Sequence, residues 1–131
     1  MMNNQLRLRR FINKLTLMVF VCSAQLIASE LPIYSLTIEN HLFFPARLDV
    51  PSDTKFKLEI KNNDSSIEEF DSFDLNREKV IFPGRKAVLY VGPLTKGEYH
   101  FFGEYNRSTA IGTLVAVDKA QITKKETDNA H

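Results

Sequence analysis

Residues 55–61, "KFKLEIK", alternate strictly between apolar and charged side chains. Phe56, Leu58 and Ile60 point one way, and Lys55, Lys57, Glu59 and Lys61 the other. A period of two is the signature of a β-strand with one face in a core and one in solvent, and a helix would scatter the same residues around its axis. The pattern recurs in "IYSLTIE" (33–39), "ARLDV" (46–50), "EKVIF" (78–82), "KAVLYV" (86–91), "EYHFF" (98–102) and "GTLVAV" (112–117). Turn-forming stretches separate these segments: "VPSD", "KNNDSS", "FPGR", "GPLTKGE" and "YNRST". Seven short strands with no amphipathic helix among them predict an all-β, antiparallel Greek-key β-sandwich. Leu58, Ile60, Leu89, Tyr99, Phe101 and Leu114 are expected between its sheets, and Phe43, Phe44, Phe56 and Tyr90 are read as further core aromatics. The closing stretch "DKAQITKKETDNAH" is polar without a buried pattern, so residues 119–131 are expected to be a frayed tail.

The N-terminus follows a different logic. Arg7, Arg9, Arg10 and Lys14 precede the apolar run "LTLMVFVC" and then small residues, and no Asp or Glu occurs before Glu30. This reads as a secretory signal over residues 1–28, with cleavage near Ala28. The run is far short of the roughly 20 residues that a permanent membrane helix needs, so no permanent span is expected. Cys22, the single cysteine, lies within this leader, and Val21 before it argues against lipoprotein processing, which favours a small residue there. A mature chain would then have neither thiolate nor disulfide. Four of the 17 basic residues and none of the 16 acidic ones belong to the leader, so its removal takes the net charge from +1 to −3. No basic face for nucleic acid remains. Residues 29–118 suffice for one domain around one core.

"HLFFPARLDVPSDTKFKLEIKNND", then "EEFDSFDLNREKVIFPG", then "VGPLTKGEYHFFGEYNRSTAIGTLVAV" resembles, over residues 37–117, the EfeO-type cupredoxin-like domain of bacterial iron-uptake systems. That family includes the periplasmic cupredoxin component of ferrous-iron permeases. The resemblance implies a sandwich of cupredoxin type whose metal pole gathers the loop after "KNND" and the loop between the last two strands. In blue-copper members a strand of pattern Y-x-F-x-C supplies the Cys. Counted from Tyr99 and Phe101, that position is Gly103, the following His position is Asn106, Ile111 stands near the Met position, and the earlier His falls at Glu68 or Glu69. With every such ligand replaced, a copper–thiolate centre of type 1 is excluded.

Harder ligands remain. The resemblance points to His41, Glu69, Asp71, Glu104 and Asn106 as a candidate metal set suited to an iron or copper ion. For His41 the competing reading is a hydrogen-bonded structural histidine, and the acidic run from Glu68 to Asp74 is equally readable as a solvated loop. His100 alternates with Tyr99 and Phe101 and so reads as a surface residue. Phe102 and Tyr105 are the candidate partner-binding rim. The implied role is periplasmic: binding or handing on a metal ion to a periplasmic iron-binding protein or a membrane iron permease. The alternative is a metal-free interaction module. No acid–base constellation for catalysis is present, which leaves metal-dependent ferrous-iron oxidation as the enzyme class still open.

Overall fold

The computed structural model describes residues 28–129. Residues 1–27 of the proposed leader lie outside these residues. Nine strands run in chain order: β1 Ile33–Glu39, β2 Leu42–Phe44, β3 Arg47–Pro51, β4 Phe56–Asn62, β5 Glu68–Ser72, β6 Arg77–Ile81, β7 Lys86–Val91, β8 Gly97–Gly103 and β9 Ile111–Val117. They form two packed sheets of order β2-β1-β4-β7 and β3-β9-β8-β5-β6. Every segment read from alternation is a strand. In β4 the alternation is complete, with Phe56, Leu58, Ile60 and Asn62 buried and the lysines and Glu59 between them turned outward.

The expectation of purely antiparallel sheets needs correction. β1 pairs with β4 in parallel, as does β3 with β9. Alternation tells which face of a strand is buried and carries no information on the direction of its neighbour. Two strands also went unread. β2 has only three residues, and β5 hides because its inward positions include Glu68 and Ser72 beside Phe70.

The core is built on aromatic edges. Phe43 meets Phe101 at a centroid distance of 5.0 Å and Phe70 at 6.1 Å, both edge-on, and Phe70 stacks on Phe101 at 5.2 Å. A Cβ added at Gly112 would stand 2.3 Å from the Phe101 ring, so only glycine lets β9 pass that ring. Two expected core aromatics lie elsewhere: Phe44 is 48% exposed and Tyr90 62% exposed. Each is out of phase with a buried neighbour, Phe43 in the first case, Leu89 and Val91 in the second. Tyr99 is partly buried, and its hydroxyl donates to the Thr95 carbonyl at 2.9 Å.

Beyond β9, the expected fraying gives way to a helix, α1, over Lys119–Asp128. Its run of good helix formers contains neither Gly nor Pro, which favours a helix without a buried face. It lies along β3, where the Lys125 ammonium reaches Asp49 at 3.0 Å. Among the described residues no helix is long and apolar enough to cross a membrane.

Candidate functional site

β4 ends at Asn62, and the chain crosses to the second sheet through residues 63–67 before β5 begins at Glu68. β8 runs antiparallel to β5 and ends at Gly103, opposite Phe70. The β4–β5 crossing, the start of β5 and the β8–β9 loop therefore share one pole of the sandwich. The β1–β2 turn joins them: the Asp64 carboxylate accepts the backbone N–H groups of Asn40 and His41 at 2.7 and 2.9 Å. Both turn residues have left-handed φ, 52° and 59°, as a two-residue hairpin requires.

At the centre of the pole stands Glu68, whose side chain points inward in phase with Phe70 and is 2% exposed. Its Oε1 accepts the backbone N–H groups of Glu69 and Tyr105, each at 3.0 Å. Its Oε2 accepts the Asn106 side-chain amide at 2.6 Å. Gly103 makes this approach possible, because a Cβ there would lie 2.7 Å from the Glu68 carboxyl carbon and 2.7 Å from the Ala110 Cβ. The β8–β9 loop is closed by Gly103 N–H donating to the Ala110 carbonyl at 2.7 Å and Ala110 N–H donating to the Asn106 carbonyl at 2.8 Å. Burying a carboxylate is costly unless donors replace the lost water, and three donors do so here. Among the described residues no buried side-chain nitrogen or oxygen lacks a partner.

The remaining sequence candidates surround this corner in separate pairings. Glu69, one residue on, faces outward beside Tyr105. Partial desolvation, followed by the charge and hydrogen bonding of Glu69 and the charges of Glu104 and Glu68, raises the Tyr105 phenol above its ordinary pKa. Glu104 receives both Nε and Nη2 of Arg107, with the Nε contact at 2.9 Å, and the guanidinium lies 4.8 Å above the Phe102 ring. Phe102 in turn touches the exposed Phe73 at 5.4 Å. Asp71 is in register with Phe102 on one side and Glu78 on the other. His41 lies 3.6 Å from Asp64 through Nδ1. His100 has the surface position that alternation assigned to it, its Nδ1 3.2 Å from the Thr113 hydroxyl.

His41, Glu69, Glu104 and Asn106 have four different side-chain neighbours, Asp64, Tyr105, Arg107 and Glu68, and Asp71 stands in register between Phe102 and Glu78. Among the described residues no group of three or more His, Cys, Asp or Glu side chains is disposed to hold a metal ion. The residue that reaches the corner is Glu68, and the signal for it was present: in "EEFDS" the apolar Phe70 fixes the inward phase, which includes Glu68 and excludes Glu69. A type 1 copper ion does not fit this donor set, since Gly103 offers no side chain and Glu68 and Asn106 satisfy each other.

Residues 12–116 match a family model described as "Cupredoxin-like domain". "Uncharacterized protein RP394" of Rickettsia prowazekii (strain Madrid E) is 41% identical over 83 residues, 63% of this chain, and the chain spans 66% of that relative's length. The fold is similar to auracyanin A, a "blue" copper protein from Chloroflexus aurantiacus, with TM-score 0.59 at 10% identity over 67% of this chain and 100% of that one. It is likewise similar to the periplasmic domain of subunit II of cytochrome oxidase from Bradyrhizobium japonicum, with TM-score 0.63 at 10% identity over 73% and 91% of the two chains.

Proposed function

Because the chain belongs to the cupredoxin-like domain family, we propose that it is a periplasmic member serving iron acquisition. In this reading it acts by docking to a partner, an iron-binding protein or a membrane iron permease, and its metal pole is closed by its own carboxylate. The observation that carries this is the Glu68 corner. A carboxylate held by the N–H groups of Glu69 and Tyr105 and by the Asn106 amide has its oxygens taken up by the protein's own donors rather than left for a metal ion. The periplasmic address rests on the leader-like N-terminus, and the link to iron rests on the resemblance of residues 37–117 to EfeO-type domains. Docking would use the face around the corner, where Phe73 and Ile111 are exposed, Phe102 is partly covered by Arg107, and Tyr105 is exposed beside Glu69. Aromatic side chains with a charged surround are the usual make-up of partner-binding surfaces. This role includes no catalytic step.

A metal-carrying role, with His41, Glu69, Asp71, Glu104 and Asn106 as ligands, is the second reading. It requires Glu104 to leave Arg107, Asn106 to leave Glu68 and His41 to leave Asp64. Iron uptake in cells of the source organism separates the two. Deleting the gene should lower uptake, and the Phe102→Ser, Tyr105→Ser double variant should behave as the deletion does, whereas Glu69→Gln should restore uptake fully. Stoichiometric iron or copper retained by the purified protein after desalting, together with loss of uptake in Glu69→Gln, would overturn the docking reading in favour of the carrier.

A further inference from the structure

The two sheets treat their surface cations differently. On and beside the five-stranded sheet Arg47, Lys96, Arg107 and Lys125 each meet a carboxylate, from Asp49, Asp118, Glu104 and Asp49 in turn. On the outer face of the four-stranded sheet only Lys86 does, reaching Glu59 at 2.8 Å. Lys57 and Lys61 stand on either side of Glu59 along β4, turned outward as it is, and Lys55 continues their phase just before the strand. Lys79 and Arg85 line the flank where β6 meets β7. Among the described residues none of these five cations has an ion-pair partner. The one carboxylate on the face without a counter-charge is Glu39, at the end of β1.

The same face carries apolar side chains that the core leaves out. Phe44 and Tyr90, the two aromatics expected inside, both stand here, together with Ile33, 60% exposed, and Val88. Register sets them among the lysines. Lys57 lies between Ile33 of β1 and Tyr90 of β7, and Lys61 lies between Thr37 and Lys86, with Phe44 of β2 beyond Thr37. Four strands of this length make a face about 15 Å across and about 20 Å along.

We propose that this face rests on an anionic phospholipid surface, with Lys55, Lys57 and Lys61 over the headgroups and Ile33, Phe44 and Tyr90 reaching the boundary between headgroups and acyl chains. Charge complementarity sets the sign of the partner, and spacing sets its form. Lys57 and Lys61 are four residues apart on one strand, about 13 Å. No single phosphate or carboxylate bridges that gap, whereas a layer of headgroups presents charge across the whole face. Lysine suits such a layer, since each stem lies along apolar surface while its ammonium follows the nearest phosphate. The apolar side chains are scattered, and a lipid boundary accepts them wherever they fall, where a protein would need a pocket for each. Each lysine near an anionic leaflet adds about fivefold in affinity. Phe102 belongs to β8 of the other sheet and Tyr105 to the loop after it, so both stay open and the proposal does not depend on the docking role.

Co-sedimentation of the purified protein with phosphatidylcholine vesicles containing either no phosphatidylglycerol or about 30% of it, at about 0.05 M and about 0.5 M salt, tests this. The parent should bind the anionic vesicles at the lower salt, bind them at least about tenfold less well at the higher, and leave the neutral vesicles alone. The double variant Lys57→Glu, Lys61→Glu should unfold at a temperature close to the parent's and lose at least about tenfold in affinity. Ile33→Ser, Tyr90→Ser should lose about fivefold, because less apolar surface enters the boundary. If Lys57→Glu, Lys61→Glu does not fold, Lys57→Gln, Lys61→Gln decides. Parent and variants share one N-terminus, so residues 1–28 contribute equally to all, and binding that survives the loss of these charges overturns the proposal. It is also overturned if the parent ignores anionic vesicles at the lower salt or binds neutral ones equally well. Binding of poly-L-glutamate without binding of vesicles would overturn it in favour of an acidic protein. Phe102→Ser, Tyr105→Ser should bind vesicles as the parent does, and a loss there would overturn the proposal by moving the contact to the other sheet.

Discussion

Glu68 and Glu69 are identical side chains on successive residues of one strand, and the sandwich treats them oppositely. Glu68 is turned into the pole, loses its water, and binds two backbone N–H groups and one side-chain amide. Glu69 is turned outward, stays partly solvated, and meets the hydroxyl of an exposed tyrosine. Side-chain chemistry cannot account for the difference, because the two are the same residue; the period of the strand, set by Phe70, decides it. The comparison separates a carboxylate that holds the fold from one that the fold does not need, and it makes the two residues each other's controls.

The largest separation should come from truncation. Glu68→Ala strands the N–H groups of Glu69 and Tyr105 and the Asn106 amide in a closed corner, and buried polar groups left without partners are costly. A loss of about 3 kcal/mol is expected, lowering Tm by roughly 10–20 °C. Glu69→Ala removes no buried partner and should change stability by less than about 0.5 kcal/mol. Thermal and urea unfolding of the two variants measure this directly. Equal losses would mean that the corner is open to water and that Glu68 is not its keystone.

A smaller effect is expected at the glycine that admits the carboxylate. Gly103→Ala introduces a Cβ that must stand 2.7 Å from both the Glu68 carboxyl carbon and the Ala110 Cβ unless something moves. Overpacking of this kind costs about 1–3 kcal/mol. In the double variant Glu68→Ala, Gly103→Ala the clash with the carboxylate disappears, so the second substitution should cost less than it does alone. Strict additivity of the two losses would show that Gly103 and Glu68 do not share the space assigned to them.

How far the chain could be read in advance follows the same division. β4 was legible because all its inward positions down to Ile60 are apolar and its outward ones charged, so chemistry and phase agree. β5 alternates between buried and partly buried residues as β4 does, yet its inward set is Glu68, Phe70 and Ser72, and polarity masks the phase. The fold type therefore survived the omission of an inner strand of the second sheet, while the sequence left Glu68 and Glu69 undivided until the strand's phase turned Glu68 inward. Strand direction was not legible at all, since the parallel pairs β1·β4 and β3·β9 arise from where the chain crosses between sheets. α1 was missed for the converse reason: its helical signal lies in propensity, and it buries nothing that would leave a period.

The finest test of the outward glutamate is a titration. The Tyr105 phenol is raised by partial desolvation first, and then by Glu69, whose carboxylate both repels the phenolate and accepts the hydroxyl hydrogen bond. Folding thus favours the neutral phenol. The resulting stability is fully present below the unfolded tyrosine value near 10 and is lost as pH rises through the higher folded value. Because the side chain is largely solvated, this shift is better read by ultraviolet absorbance than by unfolding. Glu69→Gln keeps an acceptor and removes the charge, so the Tyr105 midpoint should fall towards the ordinary value without reaching it, desolvation being unchanged. Tyr34, raised by burial and by Glu126 far along the chain, should titrate as before and serves as the internal reference. If the absorbance curves of parent and Glu69→Gln superimpose, Glu69 does not face Tyr105, and the outward half of the comparison fails while the buried half stands.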